Sequence, residues 1–339
     1  MQTTTAEPIT KRRPPLKLAS FFAGIGGFDL GFHQAGIKSV YQCEIDSFCS
    51  EVLAHHWPAV QRDRDIKEVV LSEIPKADIW SAGFPCQDVS LARARERAGL
   101  KGARSGLFYD FAELLGGALP ETVLLENVPG LLSSHEGRDF GIVIHTLAEL
   151  GYGVAWRVLN SKNFGVPQSR QRVYIVGCRD NPERAASILF EPERGTGHLE
   201  TGRKPGEKTI SPFMERASKD GRENLDGSGL AVPKLSFCLS ATTGRHTGTD
   251  WSRTYVAYDA AARRLTPAEC EGLQGFPDSW TLPLGWSDDS TSDSARYHAL
   301  GNAVSVPVIA WLADRIKASI SMPTATETAV GLQSEILTA

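Results

Sequence analysis

Four side chains in this sequence could share one reaction: Cys86, Glu126, Arg170 and Arg172. Cys86 lies in Ala82-Gly83-Phe84-Pro85-Cys86-Gln87, directly after a short apolar run. Pro85 fixes its own φ and drives Phe84 toward extended geometry, which gives the thiol a stiff platform. A free thiol, with a pKa of about 8.5, needs nearby positive charge to act as a thiolate nucleophile at neutral pH. The stretch 91–104 offers that charge, with Arg93, Arg95, Arg97, Lys101 and Arg104 against a single acid, Glu96. Its neighbours Gly99, Gly102 and Gly106 make it an expected mobile loop, able to contact phosphates and close over a site. Glu126 ends the run Val123–Leu125. A partly desolvated carboxyl there has a raised pKa and can protonate or hydrogen-bond a ring nitrogen. Arg170 and Arg172, just before Val173–Gly177, fall on one face of a strand. Both could bind a carbonyl oxygen, a carboxylate or a phosphate. Each has a plainer reading as well: a buried thiol beside a solvated charge run, a salt-bridged carboxylate, a structural arginine pair.

A second constellation surrounds Phe22-Ala23-Gly24-Ile25-Gly26-Gly27-Phe28, which follows an apolar strand and opens a helix. An α/β sheet presents its ligand crevice at such a turn, and glycines let the backbone bend tightly and approach a ligand. The dinucleotide fingerprint GxGxxG would need glycine at position 29, where Asp29 stands, so a nicotinamide cofactor is disfavoured. About twenty residues on, Glu44 ends the second apolar run and can accept both hydroxyls of a ribose. Asp65, before Ile66, is a candidate for an adenine amino group. The set fits an adenosine-type ligand, and equally a glycine turn with no ligand.

The elements that must carry these residues follow from periodicity. Apolar runs at Leu16–Ala23, Val40–Ile45, Ile79–Ala82, Thr122–Leu125, Val154–Leu159 and Val173–Gly177 alternate with amphipathic stretches. The latter include Phe28–Ala35, Phe48–His56, Leu107–Leu119 and Phe140–Leu150. Strand-length runs separated by helix-length segments predict an α/β fold with a mostly parallel sheet. The pattern stops near Arg179; residues 179–262 are rich in Gly, Pro, Ser and Thr, with nearly cancelling charges. Only Leu235–Leu239 and Thr254–Tyr258 read as strands there. Thr266-Pro267-Ala268-Glu269 predicts an N-cap, Pro at N1 and a capping-box Glu. A last amphipathic helix is expected from about Val304 to Ile320. The expected organisation is a flexible leader (1–15), an α/β body (16–178), a less regular insert (179–262), a segment returning to the body (263–320) and a flexible tail (321–339).

Composition bounds the rest. The 339 residues carry 36 Lys+Arg and 40 Asp+Glu, a formal charge of −4, so a polyanionic partner would need a local basic surface. No apolar run is long enough for a membrane span. Lys11-Arg12-Arg13 followed by Leu18–Phe28 imitates a signal peptide, but Gly24, Gly26, Gly27 and Asp29 interrupt it, and a cytoplasmic protein is expected. The six cysteines form no CxxC pair, which predicts free thiols and no metal site.

In order along the chain, the segments FAGIGGFDLGF (22–32), Glu44, Asp65-Ile66, GFPCQ (83–87), RSGLFYD (104–110), ENVPG (126–130), FGVPQSRQRVYIVG (164–177), RRLTPAECEGLQGFPDSW (263–280) and YHALGNAVSVPV (297–308) resemble the DNA (cytosine-5)-methyltransferase family. The likeness is to its bacterial and phage restriction-modification type. It implies a Rossmann-like methyltransferase fold with a smaller irregular target-recognition domain, and S-adenosylmethionine as methyl donor with no metal. By motif position, Phe22, Ala23, Gly24, Ile25, Gly26, Gly27, Glu44, Asp65, Ile66, Gly83, Pro85, Leu107, Asn302 and Val304 would line the cofactor. Cys86 would add to C6 of a flipped-out cytosine, Glu126 would meet N3, and Arg172, with Arg170, would relieve charge near O2. Double-stranded DNA is the implied partner, met by Gln87, Ser90, Arg93, Arg95, Arg97, Lys101 and Arg104. Arg245 and Arg253, beside glycines in the variable region, are candidates for groove contacts. Cys238-Leu239 stands where the family usually carries Thr-Leu. A monomer is expected, with a cognate restriction endonuclease working in the same system without direct contact. A tRNA cytosine-5 methyltransferase of the same fold and a non-catalytic DNA-binding relative are the alternatives.

Overall fold

In the computed structural model, residues 14–85, 106–191, 235–241, 255–258, 261–282 and 293–321 are described, with backbone alone for 255–258, 261–263 and 321. Seven strands form the main sheet: β1 (Lys17–Phe21), β2 (Lys38–Cys43), β3 (Gln61–Asp63), β4 (Ile79–Ala82), β5 (Thr122–Asn127), β6 (Tyr152–Asn160) and β7 (Gln171–Arg179). Their order is β3-β2-β1-β4-β5-β7-β6, parallel from β3 to β5, with β7 antiparallel to both of its neighbours. Every residue of β4 and β5 is buried, as expected for central strands covered on both faces.

The order reverses between β1 and β4, since β1 leads outward to β2 and the chain then returns to pair β4 on its other side. Ligands bind an open α/β sheet in the crevice outside the carboxyl ends of its strands at such a switch point. The glycine turn leaves β1 and Gly83–Pro85 leaves β4, so both constellations emerge side by side.

Helices cover the two faces. On one, α1 (Gly27–Gln34), α5 (Pro182–Leu189) and α8 (Val306–Ser321) share a core that includes Phe28, Phe32, Ile188, Leu189, Ile309 and Leu312. On the other, α3 (Leu107–Ala118) and α4 (Arg138–Glu149) bury Phe108, Phe111, Val143 and Leu147 against Phe21, Trp80 and Leu125. A third cluster joins α2 (Ser47–His56), α6 (Pro267–Gln274) and α7 (Asp293–Asn302) to Ile25 of the glycine turn. Thr266 caps α6 with the expected reciprocal box: its hydroxyl accepts from Glu269 N and the Glu269 carboxylate accepts from Thr266 N.

Several expectations change. Residues 182–189 are helical and bury Ala185, Ile188 and Leu189 in the body, so regular structure continues beyond Cys178. Leu235–Leu239 is not a strand; it makes a single bridge, Gln168 with Ser236. The last helix begins at Val306 rather than Val304. A hairpin of β8 (Tyr255–Tyr258) and β9 (Ala261–Arg264) lies where one strand was expected. Among the described residues no helix is long and apolar enough to cross a membrane, and no group of residues could hold a metal ion. Cys43, Cys49, Cys178, Cys238 and Cys270 are free thiols.

Candidate active site

The glycine turn is shaped by three different demands on its glycines. Gly26 lies at φ 83° and backs onto Trp57, where a Cβ would come within 2.4 Å of the indole. Gly27 faces Val304, whose Cγ2 would lie 2.7 Å from an added Cβ. Gly24, at φ 55°, opens the other way, and a Cβ there would meet no described atom within 4 Å. Two glycines are therefore set by packing, while Gly24 leaves a cradle. Phe22 holds a left-handed conformation at φ 53°, unusual for a bulky residue and typical of functional turns. No side chain caps the first turn of α1, whose N-cap is Gly26.

Glu44 ties this turn to the end of β2. Its Oε2 accepts from Gly24 N at 2.7 Å and its Oε1 from Asp46 N at 2.8 Å. Burial raises its carboxyl above the usual range, against those two N–H groups that favour the charged form. Ile45, the next residue, is 61 % exposed, an apolar platform at the crevice that the sequence reading passed over. Asp65 accepts from Lys67 N at 3.0 Å and caps a short helical turn, while Ile66 is buried. Phe22 and Leu107 are partly buried against the same cluster as Ile66. Val304 is buried against Gly27, whereas Asn302 is exposed and lies 3.2 Å from the ring of His298.

The second constellation converges at the ends of β4, β5 and β7. Glu126, one residue from the end of β5, pairs with Nε of Arg172 on β7 at 3.0 Å. Burial lifts its carboxyl above the usual range, opposed by Arg172 and then Arg170. Gly83 passes close by, since a Cβ there would lie 3.6 Å from Glu126 Oε2. Asn127, which the sequence reading did not single out, donates from Nδ2 to the Phe84 carbonyl at 2.8 Å. The chain leading to Cys86 is thus pinned beside Glu126. Cys86, Gln87, Ser90, Arg93, Arg95, Arg97, Lys101, Arg104, Arg245 and Arg253 lie outside the described residues.

The two arginines do share a side, as alternation predicts, but not a task. Both approach Cys238 Sγ, Arg170 at 3.4 Å and Arg172 at 3.9 Å. Arg170 is buried, and its guanidinium donates to the carbonyls of Leu239 (2.9 Å), Gly301 (2.9 Å) and Ala303 (2.7 Å). Both of its terminal nitrogens are thus engaged by the protein, while its buried Nε has no partner among the described residues. Gln168 acts alongside it: Leu239 N donates to its Oε1 at 3.0 Å, and its Nε2 donates to Leu273 O at 2.9 Å.

A family model described as C-5 cytosine-specific DNA methylase matches residues 16–226 and 203–318. The chain belongs to the C-5 cytosine-specific DNA methylase family. By that membership the methylase is a DNA (cytosine-5)-methyltransferase, and its sheet is the α/β methyltransferase fold. It is 33% identical over 315 residues to Type II methyltransferase M.NlaX of Neisseria lactamica, covering 90% of this chain and 97% of the relative. It is 35% identical over 310 residues to Type II methyltransferase M.NgoBI of Neisseria gonorrhoeae, covering 86% and 90%. Two solved structures share the fold. One, of a Spodoptera frugiperda DNMT2 mutant, has a TM-score of 0.65 at 19% identity, covering 89% of the methylase and 99% of that chain. The other is a prophage-encoded putative DNA modification methyltransferase from E. coli, with a TM-score of 0.58 at 16% identity, covering 91% and 100%.

Proposed function

We propose that this methylase transfers a methyl group from S-adenosylmethionine to C5 of a flipped-out cytosine within a specific sequence of double-stranded DNA, with Cys86 as the nucleophile. The observation that carries this reading is the buried Glu126–Arg172 pair, at 3.0 Å, beside the stem that leads to Cys86. The residues of the glycine turn suit the cofactor. Gly24 leaves an open cradle, Glu44 retains acceptor capacity for a ribose, and Ile45 offers an apolar face. Bound there, the cofactor supplies an electrophilic methyl on a sulfonium.

Cytosine C5 is a poor nucleophile, so the ring must first be activated. The Cys86 thiolate forms a bond to C6, and the displaced electron pair moves toward N3 and O2. Glu126, its pKa raised by burial, gives a proton to N3, while Arg172 holds Glu126 and offers N–H groups toward O2. The resulting enamine-like C5 takes up the methyl group. Loss of the C5 proton to solvent then re-forms the C5–C6 double bond and expels Cys86 as thiolate, and the N3 proton returns to Glu126. C6 is inaccessible in a stacked duplex, so the base must leave the helix, at a cost of a few kcal/mol. Loop 91–104 is proposed to close over it, with Gln87 or Ser90 filling the vacated space. Acting as the modification half of a restriction system, the protein need not touch the endonuclease.

Bisulfite sequencing of plasmid DNA from a methylation-free host expressing this chain tests the reading. Protected cytosines in one recurring sequence context are expected. Unprotected DNA carrying every short sequence context, with methyl transfer to tRNA instead, would overturn it.

A further inference from the structure

We propose that Trp280 is a positioning residue for the cofactor turn: its indole N–H clamps the Ile25 carbonyl, so the C-terminal segment sets the shape of Phe22–Gly27. The Trp280 Nε1 donates to Ile25 O at 2.8 Å, across 255 residues of sequence. That carbonyl belongs to the peptide between Ile25 and Gly26, so holding it fixes the plane from which Gly26 N donates to Ala23 O at 2.9 Å. Ile25 is fully buried, and no water could replace the indole without opening the cluster.

The indole is itself aimed by a dedicated structure. Ser279, the preceding residue, holds a left-handed conformation at φ 62°, a strained turn that a surrounding framework must impose. Thr281, the following residue, supplies that framework. Its backbone N donates to Glu271 Oε1 at 2.9 Å, its hydroxyl bonds to the same oxygen, and Arg296 Nε donates to Thr281 Oγ1 at 2.9 Å. Glu271 and Thr281 are fully buried and Arg296 nearly so. On the open side, His56 stacks on the indole with ring centroids 3.5 Å apart and planes 5° off parallel. Trp57, which forces glycine at position 26, meets Trp280 edge-on at 5.6 Å. The buried Glu271–Arg296 ion pair (3.4 Å), a strained turn and a stacked imidazole thus converge on one N–H, and that N–H acts on the turn.

This inference rests on the proposed cofactor site, and its test separates the two. Trp280→Phe in the full chain keeps an aromatic ring and removes the N–H. Hydrogen exchange of the peptide spanning residues 22–30, measured without cofactor, is expected to quicken in Trp280→Phe while the central strands stay protected. Titration with S-adenosylhomocysteine by calorimetry is expected to show Kd raised about tenfold, the scale of one lost hydrogen bond. KM for the cofactor should rise in parallel, with kcat at saturating cofactor and KM for DNA within twofold. A merely structural role would lower melting temperature and kcat while leaving exchange in 22–30 and Kd unchanged, and that outcome overturns the proposal. If the parent chain fails to bind S-adenosylhomocysteine, the cofactor reading fails, and the exchange comparison still decides the clamp. Should Trp280→Phe not fold, His56→Leu removes the stacking plane and the 3.0 Å hydrogen bond between His56 Nε2 and Trp280 O while leaving the indole N–H in place; a smaller change in the same direction supports the clamp, and unchanged exchange refutes it.

Discussion

The side-chain amide of Asn127 holds the carbonyl of Phe84 at 2.8 Å, joining the last residue of β5 to the loop that leaves β4. The same amide oxygen accepts from Val128 N at 2.9 Å, so Asn127 is fixed from both ends. Asn127→Ala is expected to lower kcat by about five- to 150-fold, from a lost contact of about 1–3 kcal/mol where a buried acceptor is left unpaired. Cofactor affinity, measured by calorimetry, should stay unchanged. A normal kcat would show that the loop stem does not depend on this bond.

Cys86→Ser replaces the thiolate with a hydroxyl that is not ionised at neutral pH. Methyl transfer from tritiated cofactor to DNA should disappear, while S-adenosylhomocysteine binding persists. Near-normal turnover would end the covalent proposal.

Glu44→Ala removes the carboxylate that accepts from Gly24 N and Asp46 N. Cofactor Kd should rise at least tenfold, with the loss of two charge-assisted bonds and of the expected ribose contact. Equal affinity in the variant would move the ribose elsewhere.

Burial raises the Glu126 carboxyl above its ordinary pKa. For such a group the stability contribution is complete below the unfolded-state pKa and is lost as pH rises through the raised folded value. Glu126→Gln removes the titration. Its melting temperature should fall less than the parent's between the ordinary carboxylate range and neutral pH, and the limb of the parent's rate profile due to Glu126 should vanish. Parallel profiles for parent and variant would show that Glu126 does not titrate in this window.

The two arginines should separate by phenotype. Arg170→Met leaves the carbonyls of Leu239, Gly301 and Ala303 without their donor and should destabilise the fold by about 3 kcal/mol or more in urea unfolding. Arg172→Met, at a mostly buried position that pairs with Glu126, should cost less stability and most of the activity. Equal stability losses would contradict the division of labour.

The central strands were legible because apolar runs of strand length leave little alternative, and the glycine turn because its spacing interrupts one of them. The short edge strand β3, with sequence Gln-Arg-Asp, carries no apolar signal at all. Helix α5 had a signal that went unused: Asn181 caps it by accepting from Arg184 N at 2.8 Å, with Pro182 at its first position. Leu235–Leu239 alternates like a strand, yet Leu235 and Phe237 are 38% and 47% exposed, and only Leu239 is drawn into the core by Gln168. Periodicity reports which residues could be buried; it cannot report that a distant amide has already claimed the backbone. For the same reason Arg170 and Arg172 looked equivalent until their different partners, the carbonyls of Leu239, Gly301 and Ala303 for one and Glu126 for the other, were in view.

Helix α8 closes against α1, with Ile309 filling the space that Gly31 leaves and Lys317 donating to Ala35 O at 2.6 Å across 282 residues. During synthesis at about 5–20 residues per second, the first strand and helix therefore wait roughly a quarter of a minute to a minute for the partner that completes them. Until Val304 and the helix after it leave the ribosome, Gly27 and Gly31 face solvent where packing should be. A chain stalled short of that point holds all seven strands of the main sheet without the helix that lines one of its faces.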